Sequence, residues 1–571
     1  MASYGLLCTF IAFLLLSILS SFASAETRKY TLRITSDAIS ADCYPYKAPT
    51  PSTILINGQF PGPPLYAVQG DIVIVRVENE LPEGQDITIH FHGIRQYGTP
   101  FSDGTPFVSQ NPIAAGKSYV LVFHVQDQIG TYFYHAHVGL KSFTAYGPFI
   151  VYDQHKPPFD YEYHEDKIFM LSQWFHAARG DQEAGLFSAT NFTFPADPDT
   201  YLINGRGIYS SEFASAPGCK GYDVTEVEPG RTYRFRLIGT TDIDVMGFAI
   251  KDHTLTIIEV DGHYIEPVET NFVEVAPGQR YSVLFKADQK SGNYYIRADP
   301  RWLLATEYNG FGIISYRGAS EAPTHVVPHM SQLSTYPPLV VNWIQSQFRP
   351  LEQGKEYRPP VADVPSHADQ TIILTVTTTG GPGMAPQIAI NGIPYQFANN
   401  SILLDLYSGK RSRHPDYRKA MNNNGFDPSR GTYLARKSEV VDIVIQSTVL
   451  APVGCDYHPW HTHGHFHWMV AHGNGTYNHT KHADLFNVRH PFPRDTSIVY
   501  PTEFPTSVAY PNVTLPFGQG CGWAKLRVLF DNPGVWNIHC HITPHMLIGM
   551  QVVMEVGVDQ LPPFILKDYL H

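Results

Sequence analysis

Cysteine, basic charge and long apolar runs are all scarce in this 571-residue chain. Lys and Arg number 40 against 52 Asp and Glu, a formal net charge of −12 at pH 7, which argues against nucleic acid or an anionic membrane surface as partner. After Glu26 no apolar run is long enough to cross a bilayer. The closing Pro562-Pro563-Phe564-Ile565-Leu566-Lys567 and the four residues after it are too short and polar for a lipid-anchor signal. The one apolar stretch near the start, residues 10–19, is followed by Ala23-Ser24-Ala25 and reads as a secretory signal peptide over residues 1–25, although it lacks Lys and Arg before it. A soluble protein acting outside the cell, in an apoplast or cell wall, is expected. Sequons at Asn191, Asn399, Asn474, Asn478 and Asn512 fit surface glycosylation on that route.

Of six cysteines, Cys8 lies in the leader, so five remain: Cys43, Cys219, Cys455, Cys521 and Cys540. An odd number in an exported chain asks for one special thiol, and Cys540 is the one flanked by histidines. It stands in His539-Cys540-His541-Ile542-Thr543-Pro544-His545, with Met550 close behind. The preceding Gly534-Val535-Trp536-Asn537-Ile538 has the β-branched and aromatic content of a strand, and alternate strand residues point to opposite faces. His539 and His541 therefore face one way and Cys540 the other, which gives the thiol a different metal from its neighbours. One thiolate, two imidazoles and a weak axial thioether make a blue-copper electron-transfer site. Cys540, His545 and Met550 supply three of those ligands. We assign the fourth to His458, in His458-Pro459-Trp460-His461-Thr462-His463, where Pro459 disturbs strict alternation.

The remaining imidazoles fall in four H-x-H pairs: His90 and His92, His135 and His137, His461 and His463, His539 and His541. Each pair aims at one strand face. A single pair is a weak signal, since histidines fall two apart by chance; four pairs, with a cysteine inside the last, are a strong one. Eight neutral imidazoles suit two or three coppers, with positions left open for oxygen, better than zinc, whose structural sites close with four ligands and usually use thiolates. His465, His467, His472, His479, His482 and His490 lack this spacing and read as packing, hydrogen-bonding or solvated residues.

In this order the four segments resemble the four copper motifs of the multicopper oxidases, the family of laccases and ascorbate oxidases, over essentially the whole chain after the leader. The resemblance implies an enzyme that draws four single electrons from a small-molecule reductant and reduces O2 to water, with four copper ions as cofactor. It implies His458, Cys540 and His545, with axial Met550, at a type 1 copper. It places His90 and His461 at the type 2 copper, and His92, His135, His137, His463, His539 and His541 at the type 3 pair. Electrons would pass from Cys540 through the backbone to His539 and His541. Asp103, in Phe101-Ser102-Asp103-Gly104, matches an acid that the family sets beside the type 2 copper for proton handling; by itself it is equally a turn-forming Asp-Gly. Thr543 and Met546 stand where some members carry acids. A family bridge between the first two domains implies Cys43 with Cys219, and Cys455 with Cys521 would then close within the third.

Met550, in place of an apolar residue, favours a low to middle type 1 potential and easily oxidised donors, a diphenol or ascorbate. Ser172-Gln173-Trp174-Phe175 resembles a segment whose aromatics approach the donor in ascorbate oxidases, and Trp174 itself reads somewhat better as core. A metal-ion oxidase would instead want carboxylates near His458 and His545, with Asp456 the one candidate close in sequence. A non-catalytic wall protein of the same fold is opposed by the complete ligand set.

Two phrases recur three times in the same order. Leu55-Ile56-Asn57-Gly58 returns at Leu202 to Gly205 and Ala389 to Gly392, and the phrase of residues 130–137 returns at 292–299 and 534–541. Such duplication predicts three domains. The middle copy carries Arg297 and Asp299 at the ligand positions, so the second domain should hold no copper. Short alternating strands between Gly/Pro turns, such as residues 71–78 and 232–238, predict β-sandwiches, which the resemblance makes cupredoxin-like. The expected layout is all-β, with three sandwiches in tandem at 26–155, 156–320 and 367–571. A Pro-rich linker at 321–366 surrounds an apolar island at 339–343. Nothing in the sequence marks an oligomeric state.

Overall fold

The computed structural model describes residues 25–45, 53–126, 128–153, 162–195, 197–302, 310–351, 364–380, 385–450, 454–501 and 516–564. Residues 1–24 of the expected signal peptide and the Asn512 sequon lie outside the described residues.

Alternation builds the sheets. In Ile72–Asn79, Val73, Val75 and Val77 are fully buried while Arg76 between them is exposed, the period of two that half-buried strands show. This strand runs parallel to Thr27–Asp37 and antiparallel to Ser118–His124. Facing that sheet is a second one, in the order Leu65–Val68, Tyr146–Tyr152, Gly130–Ala136, Ile89–His92. Two more sandwiches follow, one of six- and five-stranded sheets and one of seven- and six-stranded sheets. Each has its own core, around Val75 and Phe91 in the first, Phe235 and Phe285 in the second, and Ile443 and Trp536 in the third. The architecture is the expected all-β, three-domain one. Among the described residues no helix is long and apolar enough to cross a membrane.

The four strands that carry or lead into the histidine pairs are among those that depart from alternation because every residue in them is buried: Ile89–His92, Gly130–Ala136, His458–Thr462 and Gly534–Cys540. A strand loses its wet face when a neighbouring layer covers it. Here the neighbours are the other sandwiches. Thr131 in the first, for example, donates from its backbone N–H and its hydroxyl to the two carboxylate oxygens of Glu259 in the second.

Two disulfides are present, Cys43–Cys219 and Cys455–Cys521, and Cys540 is a free buried thiol. The apolar island at 339–343 is no free spacer. Trp343 enters the second core, where its ring lies 4.7 Å from Phe272, while Leu339 and Val341 pack on the third core. Leaving such side chains in water would cost about 1.5–3 kcal/mol each, so this part of the connecting segment is sewn to both sandwiches.

The second and third sandwiches also meet over Glu274, which accepts hydrogen bonds from Trp302 Nε1 at 3.2 Å and Tyr500 Oη at 3.3 Å. Burial raises its carboxyl to about 7. With its folded pKa above the unfolded value, Glu274 favours folding while protonated, and that contribution is lost as pH rises from about 4 to 7. Relative to the wild type, Glu274→Gln should therefore gain thermal stability between pH 5 and pH 8, by at most about 3 kcal/mol. Thermal unfolding of both proteins at the two pH values checks this, and an unchanged difference would refute it.

Candidate metal centre

Strand register places the imidazoles before any metal is considered. His90 lies opposite His135, and His461 lies opposite His539. Residues directly opposite one another in an antiparallel pair share a face. Trp460 lies opposite Cys540 and so occupies the reverse face.

The histidine faces of the first and third sandwiches meet in one chamber. The rings of His90 and His463 stack at 4.1 Å and those of His92 and His461 at 3.8 Å. His463 Nε2 is 3.0 Å from His539 Nε2, and His541 Nε2 is 3.1 Å from His92 Nδ1. Nitrogens of His90, His92 and His135, of His90, His461 and His463, and of His137, His463 and His539 lie in each case within 4.8 Å of one another. All eight rings are at most 6% exposed.

The chain turns the rings by holding their outer nitrogens. Nδ1 of His90 donates to the Asp103 carbonyl at 2.6 Å, that of His135 to Ala136 O, that of His461 to Asp495 O and that of His539 to Cys540 O, each of the last three at 2.9 Å. A carbonyl only accepts, so in these rings Nε2 keeps the lone pair. His463 Nδ1 meets the Asp103 carboxylate at 3.0 Å. His92 is reversed: Nε2 meets Asp495 Oδ1 at 3.1 Å, and Nδ1 faces His541. Desolvation, with repulsion between the rings, holds His92, His137, His461, His539 and His541 well below the usual imidazole range and His135 at about 3. These six rings are thus neutral at pH 7. The Nε2 atoms of His90, His135, His137 and His461 are buried without a hydrogen-bond partner, a rarity in folded proteins. Neutral imidazole nitrogens, unpaired and converging, are a donor set that fits copper.

On the reverse face Cys540 Sγ lies 3.8 Å from His458 Nδ1 and 4.0 Å from His545 Nδ1. Met550 is fully buried in the same core cluster, and its carbonyl accepts from Cys540 N at 3.0 Å. Burial pushes the Cys540 thiol up, so a coordinating cation is what would make it a thiolate. One sulfur and two imidazoles fit a blue copper.

Family models described as multicopper oxidase match residues 37–156, 165–319, 398–511 and 512–560. An L-ascorbate oxidase from Nicotiana tabacum is 32% identical to this chain, over 98% of it and 96% of the relative. The chain belongs to the multicopper oxidase family. A laccase-like multicopper oxidase from Thermothelomyces thermophilus is 30% identical over 88% of this chain and 84% of its own. Among solved structures, a laccase from Botrytis aclada superposes with a TM-score of 0.72 at 26% identity, covering 95% of this chain and 91% of that one. Fet3p, a multicopper oxidase of iron import, gives 0.70 at 24% identity, over 93% and 91%, a likeness of fold. This multicopper oxidase is therefore an oxidoreductase that uses O2, with the family's complement of one type 1, one type 2 and two type 3 coppers.

Several residues at these sites carry no sequence signal. Asp495 has no motif around it, yet it braces His92 and His461. The Thr543 hydroxyl donates at 2.5 Å to buried Asp242 of the second sandwich. Trp174 is core, 4% exposed and 5.4 Å from the Phe60 ring. The aromatic that approaches His545 is instead Phe194, at 5.4 Å. His467 spends both ring nitrogens on Thr462 and Ser497.

Gly278, at φ +83°, backs the chamber. A Cβ there would fall 2.8 Å from His92 Cε1 and 3.0 Å from His541 Cδ2. Gly278→Ala should cost about 1 kcal/mol in backbone strain and displace both rings. Copper bound per chain is expected to fall below four while the blue band persists, as elemental analysis and the visible spectrum would show. Full copper loading would contradict this.

Proposed function

We propose that this multicopper oxidase is an exported enzyme that takes single electrons from a small organic reductant, a diphenol or ascorbate, and delivers four of them to each O2. In this assignment His458, Cys540 and His545, with Met550 axial, hold the type 1 copper. His90 and His461 hold the type 2 copper, and His92, His135, His137, His463, His539 and His541 the type 3 pair. The sandwiches are taken to run over 26–155, 156–320 and 367–571. One observation carries the reading: the Cys540 sulfur faces His458 and His545 while its two chain neighbours join the eight-imidazole chamber.

Bound there, the coppers supply one-electron oxidation at the type 1 site and four-electron reduction of O2 to water at the other three. The chain supplies the wiring and the protons. Covalent backbone joins the Cys540 sulfur to the rings of His539 and His541, a through-bond route from donor side to chamber. Asp103 accepts from Thr105 Oγ1 at 2.5 Å and lies 3.0 Å from His463 Nδ1. Although burial opposes it, His463 and His90 hold the Asp103 carboxyl well below the usual carboxylate range, so in this reading it stays an anion that can pass on, rather than store, a proton that O2 reduction consumes. Burial of all eight rings limits water in the chamber.

The donor class follows from the rim. Phe194 is 37% exposed and sits against His545, and Phe192 and Ile243 pack with Leu547 beside it. An aromatic, apolar approach favours a planar organic donor. A metal cation would want exposed carboxylates, and Asp456 is half-buried. The relatives named L-ascorbate oxidase and laccase-like multicopper oxidase support the same class.

The copper-loaded protein should show an intense blue band that bleaches anaerobically under a diphenol or ascorbate and returns with O2. Cys540→Ser should abolish the band. Asp103→Asn should keep it and slow O2 consumption by about 100-fold. Copper bound without a blue band would sink the assignment, and ferrous iron as the faster reductant would make this a metal-ion oxidase.

A further inference from the structure

The second sandwich carries none of the histidine pairs, yet one of its side chains reaches the wall of the chamber. Arg280 is fully buried at the junction of all three sandwiches. Its Nη1 and Nη2 each donate to one oxygen of Asp495, in the third sandwich, at 2.7 Å. Its Nε donates at 2.9 Å to the carbonyl of Thr131, in the first-sandwich strand that carries His135. Its backbone N–H donates to Asp261, which also accepts from Arg494. Two guanidinium groups and two carboxylates thus neutralise one another in a dry interior, where a bidentate pair is geometrically exacting. The close fit extends to Gly93, where an added Cβ would lie 2.6 Å from Arg280 Nη2 and 2.7 Å from Asp495 Oδ2.

Asp495 in turn touches two chamber rings. Its Oδ1 lies 3.1 Å from His92 Nε2, and its carbonyl accepts from His461 Nδ1. Thr496 Oγ1, 3.2 Å from His92 Nε2, donates to Asp495 Oδ1 at 3.0 Å. With the guanidinium donating to both of its oxygens, the Asp495 carboxylate meets His92 as an acceptor. The His92 proton is therefore fixed on Nε2 and the lone pair on Nδ1, toward His541. The rings of His90, His135, His461 and His539 use a carbonyl for the same purpose and present Nε2. His92, like His463 with Asp103, takes its orientation from a carboxylate, and for His92 that carboxylate is clamped by a different domain.

We propose that Arg280 is a positioning residue for the chamber: by clamping Asp495 it sets which nitrogen of His92 faces the metals, and by holding Thr131 it fixes the His135 strand against the third sandwich. This rests on the proposed ligand assignment. Through Arg280 the second domain thereby acts on the O2 end of the enzyme.

The test uses the copper-loaded full chain with Arg280→Met and Arg280→Lys. Copper per chain, the blue band and the paramagnetic resonance of the coppers are read beside O2 consumption. Arg280→Met should keep the blue band and its anaerobic bleaching, lose copper or magnetic coupling from the type 3 pair, and consume O2 about 10- to 100-fold more slowly. Arg280→Lys keeps the charge but cannot span both oxygens, and should fall between Met and wild type. If the Met variant does not fold, the Lys variant decides alone. Four coppers with unchanged resonance, and turnover within about twofold of wild type, would overturn the proposal. A wild type lacking the blue band would instead fail the underlying assignment.

Discussion

The pairing of His461 with His539 and of Trp460 with Cys540 is the constraint on which the rest of this molecule depends. A strand has two faces and a period of two, so three consecutive residues can serve two sites with no loop or hinge between them. Slipping this register by one residue would turn the thiol toward the chamber and the imidazoles toward the core. Trp460 and Trp536, both fully buried, resist such a slip because their volume fits one face only. The thiol and the imidazole chamber are thereby held at fixed separation and linked by covalent bonds.

The second sandwich shows what a copy becomes when the metal requirement is lifted. At the positions where its sisters carry histidine pairs, Arg297 Nε donates to Asp299 at 2.7 Å, and the guanidinium stacks over Tyr336 at 4.2 Å. Charge pairing and packing replace coordination there. The same domain sends Glu259 to the backbone of Thr131, Asp242 to Thr543 and Arg280 to Asp495. Its polar side chains, mostly buried and paired, brace the histidine-bearing segments of both outer sandwiches. The two disulfides divide similarly, Cys43–Cys219 tying the first sandwich to the second and Cys455–Cys521 closing within the third.

Much of this was legible in the sequence because metal chemistry restricts residue type and strand geometry restricts spacing. The four H-x-H pairs and the flanked cysteine needed no tertiary information, and the all-β, three-domain fold followed from alternation and a repeated phrase. What escaped was whatever depends on distant segments meeting. Asp495 and Arg280 lie 215 positions apart and carry no local pattern. Phe194 follows an exposed sequon and gives no sign of lying against His545, whereas Trp174, in the segment that resembled a donor contact, is packed inside. The island at 339–343 looked like part of a linker because its Pro-rich surroundings say nothing of the two cores that receive it.

The chamber carries a cost that explains its braces. A buried polar atom left without a partner costs about 1–3 kcal/mol, and four Nε2 atoms stand in that condition with repelling neighbours around them. Left to relax, the rings would turn toward one another or toward water, and the two outer sandwiches would part at the interface. Ion pairs such as Arg280 with Asp495 oppose this because their own separation would strand a buried charge, a larger penalty than the one they hold in place. Metal affinity at such a site includes the free energy of holding the ligands ready. The neighbouring domain's rigid charge network supplies that readiness, so the imidazoles can stay unpaired and correctly turned.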